Sequence, residues 1–403
     1  MIDRRKTSAV AIAVGAIALG VALVLGSASS ASAQTERGGF IARLGSDTVH
    51  IERFERTGNV ISGVVLQRTP TFRTVHWSMT LDASGNPARY EARATDAAGA
   101  PMLNGATGSL EFRRDTIVRT VYRNGQRETQ RLAAPNGTLP APGLPYVGVT
   151  YLTYEWGFDA LRRRLAAGGD SALFQLSLQA AQPAPAKTRA WIVGQDSAEL
   201  SYFGVAKSGY KFDPNGRLVS SDWTGTTYRY RVERLPDVRL ESIASAWTAA
   251  EQAKRGFGAL SPRDSAKATL GSARLTFDYS RPAVRGRRIW GGIVPWDAVW
   301  RLGADVATHF TTDADLTIGD AHVPAGRYTL WMLPSETAPK LIVSRAVNVF
   351  GTNYDASEDL ARIPLTRTRA AEPTERLTIG VENGALAIRW ADAIWTVPVT
   401  PKG

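Results

Sequence analysis

The sequence predicts a mainly β protein: an N-terminal antiparallel sheet that can curve around one helix, followed by a C-terminal β-sandwich or jelly-roll-like domain. Three observations carry that expectation. Apolar and polar residues alternate over short runs, Gly, Asn, Asp and Pro interrupt the chain at close intervals, and helical spacing occurs in only two places. At 403 residues the chain suits two domains, each large enough for its own core. The expected division is a leader over 1–33, a β-rich domain over 34–234, a helical linker over 235–261 and the sandwich over 262–403.

In the leader, Arg4, Arg5 and Lys6 precede an uncharged run from Ala9 to Gly26, and Ala31-Ser32-Ala33 closes the segment. This is the layout of a secretory signal cleaved before Gln34, which predicts a periplasmic or extracellular protein. The alternative is an uncleaved anchor, because the run approaches the roughly 18 residues of a spanning helix. Cysteine is absent, which removes disulfides, thiolate zinc sites and cysteine nucleophiles together. The net charge of +11 falls to +9 when Asp3, Arg4, Arg5 and Lys6 leave with the leader, and so basic an exported protein is drawn toward anionic surfaces such as phospholipid heads or acidic polysaccharide. Nucleic acid is not an expected partner, since no arginine-aromatic binding motif is present.

Within the first domain, Val75, Trp77, Met79 and Leu81 alternate with Thr74, His76, Ser78 and Thr80, so one face is apolar and His76 lies on the wet one. Asp82 to Gly85 reads as the following hairpin loop. Asn124-Gly125 is the clearest two-residue turn. Pairing Arg123 with Gln126 around it puts Arg119 and Arg123 on one face and Arg127 and Arg131 on the other; no cationic stripe forms, and these arginines read as solvated strand positions. Pro135 to Pro145 is a loop too broken for a strand interior. Phe158 to Ala167 is a helix ended by Gly168-Gly169. Strands resume from Ala172 to Glu233.

Leu240 to Arg255 carries Ile243, Ala246, Trp247 and Ala250 at helical spacing, and Gly256 stops it. Beyond this linker, Asp315 to Ile318, Gly319-Asp320, Val323-Pro324-Ala325-Gly326 and Arg327 to Leu333 make strand, turn and strand. Lys340 to Val343, Arg376 to Val381 and Ile394 to Val397 are further strands, and Asn383-Gly384 is another tight turn. Phe277 to Phe310 has neither helical nor strand period and reads as an ordered irregular segment on a rigid scaffold.

The runs YSRPAVRGRRIWGGIVPWDAVWRLGADVAT, LTIGDAHVPAGRYTLWMLP and FGTNYDASEDLARIP resemble a family of exported bacterial domains catalogued as domain of unknown function 2911. The resemblance spans about Pro262 to Val399, roughly a third of the chain. Phe350 stands where that family commonly has Trp, and Val306 where an acidic residue is common. The resemblance implies export and a compact β-rich fold, and it implies no established activity.

Candidate ligand-binding residues therefore come from the chain itself. Arg281, Arg285, Arg287 and Arg288 have the geometry to clamp a carboxylate or phosphate. The alternative is ion pairing, Arg281 with Asp278 or Arg301 with Asp305. Of the six tryptophans in this domain, Trp290 and Trp296 are held in a loop by glycines and Pro295, where they could serve as platforms, while the others suit a core. Asp305 completes the set. His309 and His322 are too differently placed for a metal site, no cofactor motif is present, and no serine-elbow, zinc-protease or phosphate-loop motif occurs. The expected function is an exported, non-enzymatic binding protein of the cell envelope whose ligand is a glycan, an envelope component or a protein. Alternatives are a hydrolase of unfamiliar type using Asp297 or Asp305, and a membrane-anchored accessory subunit.

Overall fold

In the computed structural model, residues 35–402 are described, apart from 136, 142–150, 170–171, 181–182, 203–205 and 225–228. The leader and its cleavage site lie outside the described residues. Fifteen strands make the first sheet: Thr35–Leu44 (β1), Asp47–Thr57 (β2), Val60–Gln67 (β3), Arg73–Leu81 (β4), Pro87–Asp96 (β5), Asn104–Phe112 (β6), Thr116–Arg123 (β7), Gln126–Ala133 (β8), Leu139–Ala141 (β9), Ala172–Ser177 (β10), Ala186–Ile192 (β11), Ser197–Tyr202 (β12), Ala206–Phe212 (β13), Leu218–Asp222 (β14) and Arg231–Leu235 (β15). Two meanders, β1 to β8 and β10 to β15, the second edged by β9, are joined where β1 pairs antiparallel with β15.

Period-two alternation holds where the sequence shows it. Trp77, Met79 and Leu81 are buried and His76 is exposed. Asn124 and Gly125 turn the β7–β8 hairpin with φ of 50° and 77°, in the left-handed region that a two-residue turn of this type requires. Pro135 to Pro145 is corrected in part: Leu139–Ala141 forms a short strand, parallel to β10.

The sheet curls around one core, in which Ile117 and Val121 of β7 share a cluster with Leu176 of β10. Arg119 shows how closely its ends approach. Its Nε and Nη2 donate to Leu178 O at 2.9 and 2.5 Å, and Nη2 also reaches Ala180 O at 2.9 Å. The expectation of a solvated Arg119 is thereby corrected, since the side chain is sealed at 1% exposure with carbonyls as its acceptors. Into the curl fits the predicted helix, Gly157–Ala166 (α1), entered through a π-helical turn at Tyr151–Trp156. Trp156, Phe158 and Leu161 are its buried anchors. The linker helix, Leu240–Gln252 (α2), covers the opposite face of the sheet. Leu240, Ile243 and Trp247 pack there on Ile41, Ile51, Leu66 and Phe72.

The remaining strands are Arg263–Leu270 (β16), Ala273–Ser280 (β17), Thr308–Thr312 (β18), Leu316–Ile318 (β19), Ala321–Val323 (β20), Gly326–Leu333 (β21), Lys340–Ser344 (β22), Asp359–Pro364 (β23), Thr366–Glu382 (β24) and Ala385–Pro401 (β25). They form a six-stranded sheet, β16-β17-β18-β21-β22-β23, and a four-stranded one, β20-β19-β25-β24. Leu275, Phe277, Leu330 and Leu341 of the first share a core with Leu316, Ile388, Trp390 and Trp395 of the second, which is the sandwich arrangement. The irregular segment 281–307 bridges β17 to β18.

Candidate functional site

The segment Phe277 to Phe310 was expected to gather cations and aromatic rings in an open loop; its two ends are instead strand, in β17 and β18, and the contacts of 281–307 place those groups differently. Arg281 donates through Nε to Leu377 O at 3.0 Å, through Nη1 to Asp264 at 2.9 Å and through Nη2 to Thr378 Oγ1 at 3.0 Å. Its carboxylate partner is thus Asp264, and Asp278 pairs with Arg263 instead. Arg285 is buried, and its Nη1 donates to Asp47 at 2.6 Å. Arg287 folds back on its own turn, with Nε on Val284 O at 3.0 Å and Nη2 on Ala283 O at 2.6 Å. Arg288 remains exposed, with Nε on Trp290 O at 3.2 Å.

Trp290 is corrected from loop platform to core. It is 5% exposed, donates from Nε1 to Trp390 O at 3.2 Å and has four indoles around it: Trp395 at 5.1 Å, Trp300 at 5.8 Å, Trp390 at 6.2 Å and Trp296 at 6.3 Å between ring centroids. Trp296 stacks on the ring and the other three meet it edge to face, packing that fills volume and satisfies the ring quadrupoles. Trp296 is half-buried under the Arg367 guanidinium, 5.2 Å from the ring. Asp305 is exposed, in a left-handed turn with φ 60° whose carbonyl accepts from Gly351 N–H at 2.9 Å. The seven candidates therefore do not line one open cleft. Asp297, offered as an acid or base, is exposed in a similar turn with φ 58°.

What the segment does contact is the first sheet. The β1–β2 turn at Gly45 and Ser46 rests on Arg285, where Ser46 N–H reaches Arg285 O at 3.3 Å. Only glycine fits at position 45: φ is +61°, and a Cβ there would sit 2.0 Å from Arg285 O. Phe257 of the linker lies 4.2 Å from the Arg285 guanidinium. An ion pair, a backbone contact and a cation–π contact therefore converge on Arg285.

Two further polar sites lie in the first sheet. On its outer face, rows of β1 to β4 and the approach to α2 bound a groove of about 510 Å³. Arg37, Arg53, Glu55, His76, Ser62 and Asp237 line it. Its guanidinium groups are held by exposed carboxylates, Arg37 by Glu55 at 2.9 Å and Arg53 by Glu241 at 3.0 Å. Such pairs are weak and exchange readily for other partners. The second site lies on the π-helical turn. Glu155 accepts from Leu218 N–H at 2.7 Å and from Arg234, which also reaches Glu36 at 3.4 Å; Tyr151 donates to Glu36 at 3.0 Å. Burial pushes the Glu155 carboxyl up to about 7, with Glu36 adding to the rise and Arg234 and the Leu218 N–H opposing it.

Buried His50 has the opposite shift, held down at about 3 by burial and the nearby Arg73. The two groups tilt stability in opposite directions. From about pH 4.5 to 7 the unfolded chain gives up the Glu155 proton while the fold retains it, so stability falls by about 3 kcal/mol as pH rises. Below about pH 6.5 the unfolded chain protonates His50 while the fold excludes that proton down to about 3, so stability falls as pH falls. Denaturant titrations across pH 4–8 are expected to show Glu155→Gln removing the fall in stability with rising pH between about 4.5 and 7, and His50→Asn removing the opposing fall with dropping pH below about 6.5. Unaltered slopes in both variants would remove these groups as its cause.

Sequence reading missed Arg37, Arg53 and Asp237, because only strand register brings them side by side. Their alternation with buried neighbours, Arg53 before Phe54 for example, signalled an outer face but not a groove. Among the described residues no group of three or more His, Cys, Asp or Glu is placed to hold a metal, and no helix is long and apolar enough to cross a membrane.

The irregular segment, the sandwich and the spaced motifs carry one similarity. Residues 261–399 match the DUF2911 family model. That family is described as a protein of unknown function. A crystal structure of a beta-barrel-like protein of domain of unknown function DUF1849 from Brucella abortus matches 51% of this chain and 96% of its own at 9% identity, with a TM-score of 0.31. No curated protein matches the chain. Within the matched residues Val306 forms a bridge with Phe350, which is 46% exposed.

Proposed function

We propose that the chain is an exported, non-enzymatic binding protein of the cell envelope, that its ligand is a glycan, and that the ligand lies in the groove over β1 to β4. The observation that supports this is the make-up of the groove. Arg37 and Arg53 alternate with Glu55 and Asp237 around a volume of about 510 Å³. Charges of both signs favour a neutral polyhydroxylated ligand over a strong anion or cation. A sugar hydroxyl donates to a carboxylate while it accepts from a guanidinium, so each exposed ion pair can open around it. Export is supported by the leader, with its cationic start, apolar run and Ala31-Ser32-Ala33 end.

Calorimetric titration with envelope oligosaccharides tests the reading. Arg53→Ala and Asp237→Ala are each expected to weaken binding roughly tenfold, the loss of a charged hydrogen-bonding partner. Arg288→Ala, outside the groove, leaves binding unchanged. Failure of any oligosaccharide to bind, or equal binding by wild type and both groove variants, would sink the glycan reading. N-terminal sequencing of the native protein tests export separately, with Gln34 the expected first residue.

A further inference from the structure

Arginines from both parts of the chain converge at the seam between the first sheet and the DUF2911 region. Arg229 has φ of 57°, a left-handed conformation unfavourable for a residue with a long side chain. From there its Nη1 bonds Thr224 O at 2.6 Å and its Nη2 reaches across to Ile293 O at 3.1 Å. This places the guanidinium against the DUF2911 turn, within Coulombic reach of Arg287 and of Arg301, while Arg287 in turn feels Arg285. The opposing carboxylates are Asp47 and Glu375 near Arg287, and Asp305 near Arg301.

The cations are only partly satisfied. Arg287 uses Nε and Nη2 on carbonyls of its own turn, leaving Nη1. Arg285 Nε and Arg301 Nε are buried with no hydrogen-bond partner. Burial and the repulsion of Arg285 and Arg229 pull Arg287 down to about 10, and burial lowers Arg229 and Arg301 as well. Two buried donors without a partner, Arg285 Nε and Arg301 Nε, beside the partly buried guanidinium groups of Arg229 and Arg287 form a costly arrangement unless an anion completes it.

We propose that this seam binds a small tetrahedral oxyanion, inorganic phosphate or a phosphate monoester, between Arg229 and Arg287, with Arg285 and Arg301 beside it. Guanidinium forks match pairs of phosphate oxygens, and an anion shared by arginines from two parts of the chain ties those parts together. The site is separate from the groove and does not depend on what the groove binds.

The test is thermal unfolding and calorimetry of the full-length mature protein with inorganic phosphate and with glycerol phosphate, against sodium chloride and sodium acetate at matched ionic strength. Phosphate is expected to raise the Tm saturably by roughly 2–4 °C, with chloride and acetate giving no such rise. The rise is lost in Arg229→Gln and Arg287→Gln and kept in Arg281→Gln, whose donors are already engaged. Glycerol phosphate matching inorganic phosphate places a monoester in the site, whereas a response to inorganic phosphate alone restricts it to the free ion; both support the oxyanion. Equal rises with chloride or acetate, persistence in both seam variants, or no saturable heat with wild type at millimolar phosphate would overturn it. The calorimetric arm uses wild type alone, so it decides the question even where a variant fails to fold.

Discussion

Replacing Asp47 by alanine is expected to lower the unfolding free energy by about 3 kcal/mol, whereas Arg285→Met lowers it by about 1 kcal/mol or less. The asymmetry follows from exposure. The Arg285 side chain is 7% exposed and that of Asp47 is 34% exposed. Removing the aspartate leaves a buried cation without its carboxylate; removing the arginine leaves a carboxylate that water can reach. Methionine also retains a stem to pack on Phe257. Urea unfolding of the two single variants and the double variant checks this. Equal losses from the two single variants would contradict the asymmetry, and strictly additive losses in the double variant would mean that the pair does not brace the seam.

Trp290→Ala is the second large effect, an expected loss of about 3–5 kcal/mol, because the cavity opens among four other indoles and the Trp390 carbonyl loses its donor. That is a large share of the stability of an ordinary domain. A drop in ligand binding by this variant would therefore report on folding before recognition. Arg288→Ala separates the two, since Arg288 is exposed and its removal leaves the tryptophan core intact. Near-native denaturation midpoints for Trp290→Ala would contradict its place at the centre of the core.

Local chemistry was readable wherever neighbours in sequence decide the outcome. Asn124-Gly125 and Asn383-Gly384 form their turns, and the Val75 to Leu81 alternation points inward where expected. Arg119 shows where the reading stopped short. It stands at the same two-residue period as Ile117 and Val121, both buried, so its face was available from the alternation. Its carbonyl acceptors lie about sixty residues further on and were not. The same holds for the candidate site. The irregular character of 281–307 was legible, but Arg285 finds Asp47 across 238 positions, and no periodicity reports on such a pairing. Trp290 was misjudged for a related reason: flanking glycines mark a turn, and a turn can still press its ring into a core assembled from β24 and β25.

The pairing of β1 with β15 sets a condition on how the chain matures. Gly39 meets Leu235 and Arg43 meets Arg231, so the central ladder closes only after some two hundred residues have been made. Until then β1 presents an open edge, and the first meander is a template for unwanted strand addition. High contact order of this kind slows folding, since loop entropy must be surrendered before the distant strand returns anything. The strands β2 to β7 find their partners in their immediate neighbours along the chain, so the delay falls on the free edge of β1.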